Sequence, residues 1–469
     1  MNLSLSNLKE NRNRLVWLFL GSYLGLLIIK PDPYVLLVSL SLCLGLILLK
    51  SHEFGFYIIM LSVFFADWFK DLGLIPDQMT WFPDFIILLL VAKVAFLRIT
   101  KGRELIRTSI NVPILLFIFL GFISALVNSE HIATAIFGFR QDLKFVLLFF
   151  LLVNLNPEER FFRQMIRLFI ILLIIQVPVA FVKLTFYGQG EEAIGTYAGH
   201  GGIASTILPL VAISIFLGFF LFEKSRLRYI FFCLLFVLFS IVGGKRAFIF
   251  LGVLLSLFLF WQAGRKNLVK FSFMAPFLML GFLACVYFVP SLRPAFENPR
   301  YLIDFSVSYT SRYTYEGEAD GRIAAMIVTY NTLKKDLKNF LLGFGPGSMS
   351  ESYFKEFEGK IPNKVPIFYG RTQWVTMSLE YGNVGVLLFL WLFIPLFRTN
   401  QGFFNKTSER YWKAISFGFK GIWFTYLMGF FYGKVFRLDV LAFIFWFFAA
   451  TIYCLSKQRK FCREKSCGH

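Results

Sequence analysis

Residues 229–261 read YIFFCLLFVLFSIVGGKRAFIFLGVLLSLFLFW. Two apolar runs, 229–242 and 247–261, flank Gly243, Gly244, Lys245 and Arg246. Neither run has a polar face, so neither reads as an amphipathic helix lying on a soluble core. A helix needs about 20 residues to cross the hydrocarbon of a bilayer, and somewhat fewer when its ends snorkel. The stretch therefore predicts a hairpin of membrane helices with two cations at its tip.

The same pattern recurs along the chain. Candidate spans fall near 15–30, 34–50, 53–68, 82–98, 110–127, 141–155, 163–183, 203–222, 228–243, 246–262, 270–289, 374–397, 411–432 and 436–456. The expected fold class is an all-α polytopic membrane protein of about fourteen helices. A composition 57% hydrophobic, with 62 Phe, is richer in apolar residues than soluble domains ordinarily are. The N-terminal stretch MNLSLSNLKENRNR is polar, and no small-residue cleavage site follows, so no cleaved signal peptide is expected. The cysteines, including Cys233 and Cys454 within apolar runs, lack metal-ligand spacing, and neither metal nor cofactor is expected.

The net charge of +20 does not form one basic domain, which argues against a nucleic-acid partner. It recurs as short clusters between spans, such as Arg98, Lys101, Arg103 and Arg107, then Arg160, Arg163 and Arg167, then Lys406, Arg410 and Lys413. With both termini cytoplasmic, every such cluster falls on one face, as the positive-inside rule requires. The opposite, extracytoplasmic face then receives one long, less apolar segment. The predicted organisation is a bundle at 1–289, a partly helical cap at 290–373 between the eleventh and twelfth helices, a second bundle section at 374–456, and a basic cytoplasmic tail at 457–469.

Lys245 and Arg246 fall on that positive-poor face, so topology does not explain them, and charges at a membrane lip are functional candidates. Arg140, Arg322 and Arg371 fall on the same side. Arginine presents a permanent charge and a planar fork of donors suited to phosphate. The alternative for each is pairing with a nearby carboxylate, Asp142 and Asp320 among them. His200, with Tyr197 in GTYAGHGGIAST, is a candidate general base. Gly345 and Gly347 in GFGPGS form either a phosphate-cradling loop or a structural turn. Glu380 sits within an apolar run, where a carboxylate needs either an arginine partner or a proton-accepting task.

In order and sidedness these motifs resemble the O-antigen ligase/polymerase family of bacterial membrane glycosyltransferases. The resemblance rests on GFRQDLKFVLLFFLL, GTYAGHGGIASTILPL, GGKRAFIFL, DGRIAAMIVTYNTLKKDLKNFLLGFGPGSM and SLEYGNVGVLLF, and covers about 130–390. It implies an inner-membrane enzyme that moves a glycan from undecaprenyl diphosphate to the terminal sugar of another lipid-linked repeat, outside the membrane and without a metal. It also implies a chain-length regulator and a flippase as partners beside the bilayer itself. By the resemblance Arg246 and Arg322 grip diphosphate, with Arg140, Arg371, Lys245, Tyr197, Gly345 and Gly347 along the substrate path and His200 or Glu380 as base. Ligases of the family carry a histidine where Arg371 stands, which favours polymerase over ligase. A lipid-linked oligosaccharide flippase is the alternative of another class; the long cap and the missing internal repeat count against it.

Overall fold

In the computed structural model the described residues are 51–102, 104–128, 131–188, 193–196, 201–223, 227–244, 246–264, 300–315, 317–350, 358–359, 365–367 and 371–466, with scattered positions besides. By its contacts the chain divides into residues 1–56 and 57–469. In the first unit Gly21, Ile47 and Lys50 are helical and His52–Phe56 open a helix. The rest concerns the second unit.

Its described elements are helices joined by turns, with two isolated bridges and no strand ladder. They are α1 (His52–Asp71), α2 (Phe82–Lys101), α3 (Asn111–Val127), α4 (Ile132–Leu155), α5 (Glu159–Tyr187), α6 (Gly201–Phe222), α7 (Leu227–Val242) and α8 (Arg246–Ala263). After these come α9 (Arg300–Thr310), α10 (Arg322–Leu333), α11 (Leu337–Leu342), α12 (Gln373–Trp391), α13 (Phe393–Lys406), α14 (Arg410–Tyr432) and α15 (Asp439–Ser466). Among the described residues, five stretches are long and apolar enough to cross a membrane: α5, α6, the run Gln373–Lys406, α14 and Asp439–Gln458. Helices α3, α7 and α8 are apolar but shorter. Predicted spans 15–30, 34–50 and 270–289 lie outside the described residues, scattered positions apart.

Local chemistry sets the helix ends. Helix α2 opens with Pro83 in its first turn and closes on Gly102 in the left-handed region, at φ 60°. Helix α4 closes on Asn156, also left-handed at φ 45°, and Pro157 prevents continuation. Two expected boundaries move. The sixth expected span, 141–155, begins earlier, at Ile132, as one continuous helix in which 132–155 contains no proline. The basic tail begins inside α15, since Lys, Arg and Gln are good helix formers.

Helices α6 and α15 lie at the centre, apolar and buried on nearly all sides. Apolar burial drives helix association weakly in lipid, so close backbone approach through small residues matters more. Helices α6 and α14 meet this way: a Cβ at Gly218 would stand 2.3 Å from the Ala414 carbonyl oxygen, and one at Gly421 2.3 Å from Ser214 Oγ. Outward faces carry exposed Leu88, Leu115, Phe119, Ile171, Phe186 and Leu257, the side chains a hydrocarbon solvent accepts. The cap's described part packs Ala324, Ala325, Leu333, Met349 and Ile367 onto Val375 and Leu379 of α12, which anchors it to the bundle.

Candidate functional site

The site is built around a break in α12. Gly382 lies at φ 66°, ψ −177°, non-helical inside an otherwise helical run. The break frees carbonyls of the preceding turn, which the amides of the following turn would otherwise engage. Leu379 O accepts from Phe344 N at 2.7 Å and Glu380 O from Gly345 N at 3.0 Å. The GFGPGS turn is thereby threaded against α12. Ser124 and Asn128 at the end of α3 hold its other side, donating to Leu342 O at 2.6 Å and Gly343 O at 3.0 Å. Gly345 and Gly347 have φ of 107° and 79°. A Cβ on Gly347 would stand 2.1 Å from Thr134 O of α4. Both glycines take φ values that favour glycine, and the turn packs closely against α4 at Gly347.

Beneath that turn lies a buried ion cluster. Arg437, in the connection between α14 and α15, donates from Nε to Asp142 Oδ1 at 2.9 Å and from Nη2 to Asp142 Oδ2 at 2.8 Å. Its Nη1 reaches Glu380 Oε1 at 3.1 Å and its Nη2 also bonds Glu380 Oε2. Tyr381 Oη donates to Asp142 Oδ2 at 2.9 Å, and Met349 N to Glu380 Oε1 at 3.2 Å. Asp142 and Glu380 side chains are 0% exposed and Arg437 is 8% exposed, so each charge depends on its partners for solvation. Burial alone would lower the Arg437 pKa, but the two carboxylates hold it well above the ordinary arginine value, so it stays cationic.

A second set of charges continues outward. Asp84 of α2 receives Arg140 Nε and Nη2, both at 2.8 Å, and Lys144 Nζ at 3.3 Å. Lys144 also reaches Asp439 at 2.5 Å. The Arg140 guanidinium lies 4.5 Å from the Trp81 ring centroid. Arg140 is thus neutralised by a carboxylate, and by Asp84 rather than by the neighbouring Asp142.

Arg322 is held differently. It opens α10, its Nε donates to Tyr432 O at 2.6 Å, and its guanidinium lies 4.1 Å from the Tyr432 ring centroid. Among the described residues no carboxylate pairs with it; Asp320 pairs with Arg312 at 3.0 Å instead. Tyr432 ends α14, and its hydroxyl lies 3.4 Å from Thr206 Oγ1 at the start of α6. A Cβ on Gly243, just before α8, would stand 3.0 Å from Ser205 Cβ. Helix α8 runs antiparallel to α14: Phe258 stacks on Phe424 with centroids 4.4 Å apart, and Gln262 accepts from Lys420 at 3.1 Å. In that antiparallel register Arg246, twelve residues before Phe258, falls about a turn beyond Tyr432, which is eight residues after Phe424. The starts of α6, α8 and α10 and the end of α14 therefore gather at one end of the bundle.

Of the expected residues, the structure brings together Arg322, the backbone of Arg246 and the helix start that follows His200. Arg371 donates to Ile367 O at 3.3 Å within the cap connection. Glu380 has the arginine partner that its membrane position called for. Lys245, Tyr197 and His200 lie outside the described residues, as does the Arg246 side chain. Arg437, Asp84, Lys144 and Asp439 had no place in the sequence reading, although a charge within or beside an apolar run was the signal that singled out Glu380. Compared with protein-family models and with curated proteins, the chain has no significant match to either.

Proposed function

We propose that the chain is a polysaccharide polymerase that transfers a glycan from undecaprenyl diphosphate to the terminal sugar of another lipid-linked repeat, on the extracytoplasmic side of the inner membrane. The observation that carries this reading is Arg322: a cation oriented by Tyr432, paired with no carboxylate among the described residues, at the end where α8 brings Arg246. The counter-charge it lacks is what a diphosphate supplies.

In the reaction the acceptor hydroxyl oxygen bonds to the anomeric carbon as the bond from that carbon to the diphosphate oxygen breaks. The electron pair stays on the diphosphate, and fixed cations stabilise the charge that develops there. The hydroxyl proton passes to a base. Glu380, with both oxygens engaged by Arg437, is a positioning residue in this scheme, and the base role goes to His200 in the segment opening α6. Arg140, neutralised by Asp84, belongs to the scaffold rather than to the diphosphate grip.

The fourteen-span topology, with the cap outside, completes the reading. Purified protein given a single lipid-linked repeat is expected to produce a ladder of longer glycans. Reaction only after a second kind of acceptor is added means a ligase, and lipid translocation without a new glycosidic bond means a flippase. Either outcome overturns the proposal.

A further inference from the structure

At the opposite end of the bundle, a cleft of about 550 Å³ opens between the end of α2 and the start of α3, lined by Arg98, Gly102, Glu104, Leu105, Arg107 and Asn111. The glycan reading does not use it. Its walls are fixed by bonds to distant helices. Ile106 N donates to Asn154 Oδ1 of α4 at 2.8 Å, and Tyr453 Oη of α15 donates to Arg107 O at 2.8 Å. Thr108 N donates to Asn111 Oδ1 at 3.1 Å, which engages that oxygen and leaves the amide nitrogen as a donor. The loop is thus a built wall of the cleft.

Among the described residues the charges of this wall have no ion-pair partner. Arg98, Arg107 and Glu104 make no ion pair with one another or with any other described residue, and all three are exposed. Arg163, at the same end of the bundle, is by contrast bonded to Glu159 at 2.6 Å and also to Glu409. Two guanidinium groups beside a helix start offer a phosphate both charge and fork-shaped donors. The lone carboxylate beside them repels an anion but suits an ammonium.

The surroundings are those of a lipid. Phe96 and Ile99 on α2, and Val112, Leu115 and Leu116 on α3, are exposed apolar side chains of the two helices that bound the cleft, and Leu105 in its lining is exposed as well. An acyl chain entering between these faces would carry its headgroup into the cleft. We infer that the cleft binds a zwitterionic phospholipid, its phosphate held by Arg98 and Arg107, its ammonium by Glu104, and its chains against α2 and α3.

The test uses the full chain purified in detergent and read by native mass spectrometry. It is titrated with phosphatidylethanolamine, phosphatidylglycerol and, as competitor, inorganic phosphate. The wild type is expected to retain one phosphatidylethanolamine in preference to phosphatidylglycerol, with phosphate at matched concentration unable to displace it. The Arg98→Gln/Arg107→Gln variant is expected to lose about tenfold in affinity for both lipids, because the charge-assisted bonds go. Glu104→Gln is expected to abolish the preference for phosphatidylethanolamine while leaving phosphatidylglycerol bound. All three positions are exposed, and an unchanged melting temperature in lipid-free detergent checks that the variants fold. Equal lipid retention by wild type and the double arginine variant would overturn the site. Displacement by inorganic phosphate would reduce it to a simple anion site, and an unaltered preference in Glu104→Gln would remove the ammonium from it.

Discussion

Arg322 and Arg140 are both arginines on the extracytoplasmic side of the expected topology, yet their partners separate them. Arg140 is matched by Asp84 and Arg322 by no carboxylate among the described residues. Arg322→Ala is therefore expected to reduce glycan transfer by about a hundredfold, the order seen when one transition-state donor is removed. Arg322→Lys recovers only part of it, since lysine keeps the charge but loses the fork. Both are measured as initial rates on a purified lipid-linked repeat, with a melting curve showing that the fold survives. Arg140→Ala is expected to lower the melting temperature instead, leaving Asp84 with Lys144 alone. In the buried cluster, Arg437→Met strands two carboxylates and is expected to cost ~3–5 kcal/mol in stability, whereas Glu380→Gln leaves Asp142 to neutralise the arginine and costs less. Denaturant titration in detergent gives that order; the reverse order would mean the cluster is not held through Arg437. None of these pairings was legible in the sequence, because Asp142 and Arg437 are 295 positions apart and apolar patterning says nothing about which charge meets which.

Helices were legible as elements, and their interruptions were not. The runs at 82–98, 110–127, 203–222 and 228–243 match α2, α3, α6 and α7 closely because an unbroken apolar run in lipid has no alternative to a helix. The run 374–397 looked the same, yet it breaks at Gly382 and is followed by a separate α13. A glycine within an apolar run is tolerated in a straight helix, so its residue type alone does not announce a break. What fixes the break is the turn 343–347, whose amides take the freed carbonyls. Gly382→Ala is accordingly expected to destabilise by about 1–3 kcal/mol, since alanine is strained at positive φ and its Cβ would meet Leu341 O at 2.2 Å. Gly402→Ala, in α13 at ordinary φ with nothing within 4 Å of an added Cβ, is expected to cost less, and paired melting curves decide between them.

At the scale of the whole molecule, the expected sidedness places the cap and the α2–α3 loop on opposite faces of the membrane. A single cysteine at Tyr315, fully exposed in the cap, is expected to react with an impermeant maleimide in intact cells, and one at Ser109 only after lysis. Both variants are made after the six native cysteines have been replaced by alanine, so that each carries one thiol. Labelling of Ser109→Cys from outside would reverse the topology and take the diphosphate reading with it. The threaded turn also has a consequence in time. Ser124 and Asn128 leave the ribosome 215–218 residues before Leu342 and Gly343, the carbonyls they bind. At about 5–20 residues per second that is a wait of roughly ten to forty seconds. Throughout it the two bonds from the end of α3 to the turn cannot form, so this junction is completed only after most of the chain has been made.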